Sequence, residues 1–183
     1  MIIHSKNKYY FALQEGDNSI LINPDNQKSF KGTDIIINTK MPALTSKPET
    51  RPPLWIEHQG EYESKQIKIK GWSINTKNNY QTAYFIKWDD YKIMVFDSLT
   101  DELSPDLTSN LEKANIIILT SDDNNIKILK NSMPKFIIIN EQNKILPSLL
   151  NLFGIKNIEK INKFTLKKSN LSLNNIQVIC LTS

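Results

Sequence analysis

Asn115-Ile116-Ile117-Ile118-Leu119, then Asp122-Asp123, then Phe136-Ile137-Ile138-Ile139: residues 115–139 decide the fold. Both apolar runs are short, rich in isoleucine and free of polar alternation, which predicts strands buried on both faces. Asp122-Asp123 offers side-chain acceptors that can cap a helix running to about Lys130. Strand, helix and strand in that order make a β-α-β unit.

Further along, Leu146 to Phe153 predicts a helix ended by Gly154, and Ile158 to Ser183 predicts extended structure. Upstream, Leu103 to Leu111 predicts another short helix. Thr82-Ala83-Tyr84-Phe85-Ile86-Lys87-Trp88 and Lys92-Ile93-Met94-Val95-Phe96 flank Asp89-Asp90 as a hairpin. Gln66-Ile67-Lys68-Ile69-Lys70 alternates as a half-exposed strand does. Residues 40–54 hold Pro42, Pro48, Pro52 and Pro53 and read as a loop. Asp34-Ile35-Ile36-Ile37-Asn38 is one more buried strand. Tyr9 to Leu13 and Ser19 to Ile22 form a hairpin around Glu15-Gly16-Asp17-Asn18. Hairpins first and β-α units later imply mixed sheets with helices outside.

The 183 residues suit a single domain, 1–183, with a sizeable core. The lone Cys180 excludes an internal disulfide and a cysteine metal knuckle, and it reads as a buried apolar residue. No signal peptide and no membrane-length apolar run are visible, so a cytoplasmic location is expected. Net charge is +4, and Arg51 is the only arginine. A lysine surface without arginine forks is a weak nucleic-acid signature. Trp55, Trp72 and Trp88 read as packing residues.

Several segments, taken in order, resemble the metallo-β-lactamase fold, and within it a compact bacterial branch of ascorbate-phosphate lactonase-like proteins. Phe11-Ala12-Leu13 through Ile20-Leu21-Ile22-Asn23-Pro24 is similar to that branch's opening hairpin, with Asn23 in place of aspartate. Gly60-Glu61-Tyr62-Glu63 before Ile67 to Gly71 resembles its Pro-Gly-Glu-Tyr-Glu element, with Gln59 in place of proline. Thr82 to Ile86 with Tyr91-Lys92-Ile93, and Lys167-Lys168-Ser169-Asn170-Leu171, resemble later segments. The resemblance implies an α/β fold: a four-layer αββα sandwich of two mixed sheets with outer helices.

It also implies where a metal site would lie. Zinc hydrolases of this fold carry Thr-His-x-His-x-Asp-His after the third buried strand. Here those positions read Thr39-Lys40-Met41-Pro42-Ala43-Leu44-Thr45. Lysine and proline stand for two histidines, leucine for the aspartate and threonine for the last histidine. Asp97 matches the bridging aspartate, and Glu141 stands near the late histidine. Only two histidines exist, His4 and His58, and neither sits in a catalytic motif. The former pocket is expected to contain Lys40, Thr45, Asp97 and Glu141, with Lys40 able to pair with Asp97. No catalytic residue, metal or cofactor is expected. The reading is therefore a degenerate, non-catalytic relative acting as a binding or scaffolding protein. Its rivals are a divergent metal-dependent hydrolase of phosphoesterase or lactonase type and a nucleic-acid-binding module. Lys156, Lys160, Lys163, Lys167 and Lys168 form the candidate basic patch for an anionic partner. Protein partners and self-association stay open, and no membrane contact is expected.

Overall fold

Apolar side chains alternate between two sheets and an outer helical layer. The computed structural model describes residues 1–26, 30–49, 53–75, 80–100, 102–120, 126–156, 158–172 and 175–183. Asp122, Asp123 and Arg51 lie outside the described residues.

The first sheet holds β1 (Ile2–Ser5), β2 (Phe11–Glu15), β3 (Asn18–Ile22), β4 (Ile35–Ile37), β6 (Leu54–Ile56) and β14 (Phe164–Thr165). Its order is β14-β1-β2-β3-β4-β6. The second sheet holds β7 (Gly60–Ser64), β8 (Ile67–Asn75), β9 (Tyr80–Trp88), β10 (Tyr91–Phe96), β11 (Ile116–Leu119), β12 (Phe136–Asn140), β13 (Lys160–Ile161) and β15 (Gln177–Leu181). Its order is β13-β15-β12-β11-β10-β9-β8-β7, with β5 (Lys40–Met41) pairing β9 from the side. β10, β11, β12 and β15 run parallel, as do β3, β4 and β6.

The isoleucine runs explain the layering. In β11, Ile116 and Ile118 join the core between the sheets, while Ile117 and Leu119 face the helical layer. β12 divides the same way, with Phe136 and Ile138 inward and Ile137 and Ile139 outward. From the first sheet, Ile20, Ile22, Ile35 and Ile37 meet them across the interface. Each buried isoleucine contributes about 1.5–3 kcal/mol over an exposed one. The opposite face of the first sheet carries Leu21 and Ile36, packed with Tyr10, Phe30 and Trp55.

Three α-helices are present among the described residues, all in the second half: α1 (Pro105–Lys113), α2 (Leu129–Ser132) and α3 (Leu146–Phe153). Ser104 caps α1, its Oγ accepting the Leu107 N–H at 3.2 Å, and Leu107 and Leu111 are buried. Gly154 ends α3 at φ 68°, a left-handed cap that glycine adopts without strain. No described helix is long and apolar enough to cross a membrane.

Three expectations are corrected. The 40–54 loop begins with β5, where Lys40 and Met41 pair with Gln81 and Tyr80, and it ends in β6. Pro42 and Pro53 stand just outside those ladders, so they remove no donor that a ladder needs. From Ile126 to Ser132 the helical structure is a 3₁₀ turn, Ile126–Ile128, followed by the four-residue α2. The tail is not continuously extended, because a 3₁₀ turn spans Lys168–Ser172. There Ser172 Oγ donates to Ser169 O at 2.8 Å, one of the local bonds by which serine competes with a ladder.

Candidate functional site

Five buried strands each end on a buried polar residue at one edge of the sandwich. Asn23 follows β3, Thr39 follows β4 after Asn38, Asp97 follows β10, Thr120 follows β11 and Asn140 closes β12. Hydrophobic pairing carries each strand to this edge, and the polar residue then faces what lies beyond the strand ends.

Four of the five residues form one chain. Asn23 Nδ2 donates to Thr39 Oγ1 at 2.8 Å, and the Thr39 N–H donates back to Asn23 Oδ1 at 2.8 Å. The hydroxyls of Thr39 and Thr120 meet at 3.4 Å, and Thr120 Oγ1 donates to Asp97 Oδ1 at 3.0 Å. Asp97 Oδ2 takes no further hydrogen-bond donor and is met by the Lys40 ammonium at 2.5 Å. The Lys40 Nζ also sits 5.2 Å from the centre of the Tyr9 ring. A polar relay thus ties the first sheet to the second across the strand ends. Asn23 adopts φ 51°, a left-handed conformation that asparagine tolerates better than most residues.

The adjoining cleft, about 210 Å³, is lined by Tyr9, Asn23, Lys40, Pro42, Leu44 and Asp97, among others. A more open groove of about 720 Å³ lies elsewhere, beside Trp72 and the start of α1. Its one titratable lining residue is Glu102, so the smaller cleft holds the richer chemistry.

Of the expected pocket residues, Lys40 and Asp97 come together and the other two do not join them. Glu141 pairs with Lys160 at 3.2 Å and does not line the cleft. Thr45 is also absent from the lining, and its hydroxyl is buried without a partner among the described residues. Tyr9, Asn23, Thr39 and Thr120 were not expected as members. The first polar residue after an apolar run would have found Asn23 and Thr120, whereas Thr39 comes one position later, after Asn38, and Tyr9 carries no such signal.

The donor set does not fit zinc. A zinc site gathers three or four nitrogen, sulfur or carboxylate ligands, whereas this edge offers one carboxylate already engaged by an ammonium. Among the described residues no group of three or more His, Cys, Asp or Glu could hold a metal ion. His4 lines a separate cleft with Lys6 and Lys163, and the His58 carbonyl accepts the Tyr62 hydroxyl at 3.0 Å.

The basic segment is partly neutralised. Lys160 pairs with Glu141 and Lys168 with Asp89 and Asp90, while Lys156, Lys163 and Lys167 are exposed. Trp88 is buried, Trp55 packs edge-on to Phe30, and the Trp72 indole donates to Asp106. Burial raises the Cys180 thiol above its ordinary pKa, which keeps it protonated and inert.

The two sheets, their order and the outer helices define the metallo-β-lactamase fold. The chain superposes on a protein from Thermotoga maritima assigned to the Zn-dependent hydrolases of the metallo-β-lactamase superfamily, with a TM-score of 0.69 and 14% identity over 99% of this chain and 98% of that one. It also matches YhfI, a metallo-β-lactamase fold protein from Bacillus subtilis (TM-score 0.63, 9% identity, 98% and 95% covered). A third match is Igni18, a metallo hydrolase from the archaeon Ignicoccus hospitalis (TM-score 0.56, 10% identity, 91% and 99% covered). No protein-family model matches the sequence, and no curated protein matches it. At such identities the shared property is the fold.

Proposed function

We propose that this chain is a non-catalytic relative of the metallo-β-lactamase hydrolases, of the lactonase-like branch, that keeps the edge cleft and works as a binding or scaffolding protein. One observation carries the reading: the Lys40 ammonium lies 2.5 Å from the buried Asp97 carboxylate. A protonated lysine there balances the carboxylate's charge and repels a dication. Thr120 takes the other oxygen of the same carboxylate, so both are engaged by protein groups. A water made acidic by a metal is the nucleophile in metal-dependent hydrolysis, and its formation needs ligands that positions 40, 42, 44 and 45 do not supply.

The test is metal analysis of purified protein, with turnover assays on phosphodiester and lactone probes. Protein loaded with equimolar zinc or manganese and then desalted is expected to retain well under a tenth of an equivalent, with no turnover. Its melting temperature is expected to be the same with and without chelator. Near-stoichiometric metal with phosphoesterase or lactonase turnover would favour the divergent hydrolase instead.

A further inference from the structure

The Lys40 cleft has a chemistry that selects a ligand. Its floor is an ion pair with a direction: the Asp97 side chain is 1% exposed and that of Lys40 41%. The pair therefore turns its positive end toward the opening. A second ammonium, Lys8 Nζ, lies 5.4 Å from the centre of the Tyr9 ring, on which Lys40 also rests. The rim is apolar. Four large hydrophobic residues are exposed among the described residues, and two of them, Tyr9 and Leu44, line this one cleft with Pro42 and Ala43.

A cationic floor under an apolar rim discriminates among ligand classes. An amine would meet like charge at Lys40. A phosphate monoester, nearly doubly charged at neutral pH, would bring its second charge toward the buried Asp97 carboxylate, with no arginine fork to hold it. A neutral apolar molecule would leave the ammonium without a new acceptor. A single carboxylate on a compact apolar body satisfies both parts, because the 41% exposed Lys40 side chain offers its charge at the opening while Tyr9 and Leu44 receive the apolar body. About 210 Å³ is below the roughly 300–1,000 Å³ of drug-sized pockets, which limits the body to about one ring or a short chain.

We infer that this cleft binds a small monocarboxylate, its carboxylate on Lys40 Nζ and its apolar body against Tyr9 and Leu44. The inference rests on the reading of the site as filled by an ammonium instead of a metal.

Benzoate is the probe, titrated into the full chain and followed by backbone amide NMR shifts, with benzylamine and benzyl alcohol as controls. Saturable shifts are expected at Tyr9, Ala43 and Leu44 with benzoate alone. Leu44→Ser, an exposed change that leaves the fold intact, is expected to weaken binding about fivefold, the scale of a partly buried leucine contact. Lys40→Met is expected to weaken it tenfold or more, as loss of a charged hydrogen bond does. Lys113→Ala, at the exposed end of α1, is expected to leave it unchanged. Shifts that are equal for benzylamine, that spread over the surface lysines, or that survive Leu44→Ser overturn the inference. Metal content measured on the same sample separates the two ideas. Metal-free protein that ignores benzoate overturns the carboxylate site alone, whereas zinc held beside Asp97 overturns the non-catalytic reading and this one with it.

Discussion

At the scale of single residues, Asp97 and Lys40 depend on each other unequally. Asp97 is buried, so its carboxylate relies on the ammonium and Thr120, while Lys40 can turn to solvent. Lys40→Met should destabilise the fold by about 2–3 kcal/mol, below the roughly 3–5 kcal/mol for breaking a fully buried pair because the ammonium is half-exposed. Lys40→Met with Asp97→Leu should regain most of that loss, since no charge is then stranded. Denaturant titration of the four-membered mutant cycle checks this, and purely additive effects would contradict it. Gly71 is a steric case. A Cβ there would lie 2.8 Å from Tyr84 Cε1, and the ring is pinned by its hydroxyl donating to Asn38 O at 3.2 Å. Gly71→Ala should cost about 1–3 kcal/mol by the same measurement, as overpacking does. His4 adds a pH dependence. Partial burial, then Lys6 and Lys163, hold its imidazole below the ordinary 6.5, against a backbone hydrogen bond at Asn162 that raises it. The folded state thus favours the neutral ring. Its contribution is complete above about 6.5 and lost as pH falls through the folded pKa. His4→Asn should flatten that acid-side slope in a stability profile from pH 7 to 4.

At the scale of elements, α1 holds the outer layer to β8 through its first turn. Asp106 accepts from Trp72 Nε1 at 2.9 Å and pairs with Lys70 at 2.9 Å, while Ser104 caps the start. Lys70 holds the Asp106 carboxyl below its ordinary pKa, chiefly by hydrogen bonding, with Trp72 next. Ser104→Ala should cost about 1 kcal/mol, and amide exchange should speed up in the first turn of α1 before anywhere else. The same elements mark what was legible in the sequence. Isoleucine runs identify β4, β11 and β12 because burial on both faces leaves no polar position to confuse the pattern. Gly154 identifies the end of α3 because few other residues sit comfortably at φ 68°. β5 was not legible, since Lys40-Met41 has no periodicity and exists only because β9 lies beside it. Of the site, Lys40 and Asp97 were singled out in the sequence, Asp97 by its position after β10, and the structure pairs them. The rest of the relay was not, because Thr120, Thr39 and Asn23 meet through sheet packing between strands distant in sequence. Glu141 was read toward the cleft, but the short β13 brings Lys160 alongside and draws it away.

At the scale of the whole molecule, the two sheets share a single inner core. Ile20, Ile22, Ile35 and Ile37 from one sheet pack with Ile93, Val95, Ile116 and Ile118 from the other. Neither sheet can open without exposing the other's inner face, so residues 1–183 should unfold as one cooperative unit. The tryptophans report the two sheets separately, with Trp55 on the first and Trp72 and Trp88 on the second. In denaturant, the fluorescence of a Trp55-only variant and that of a Trp88-only variant, each with Phe at the other two positions, should trace the same transition as far-UV circular dichroism of the same protein. Ile118→Ala, which leaves a cavity between the sheets, should shift all three probes together by about 2–5 kcal/mol. Two separated transitions, or an Ile118→Ala effect seen only from the second sheet, would mean that the sheets are independent and that the Asn23–Thr39–Thr120–Asp97 relay bridges units that fold apart.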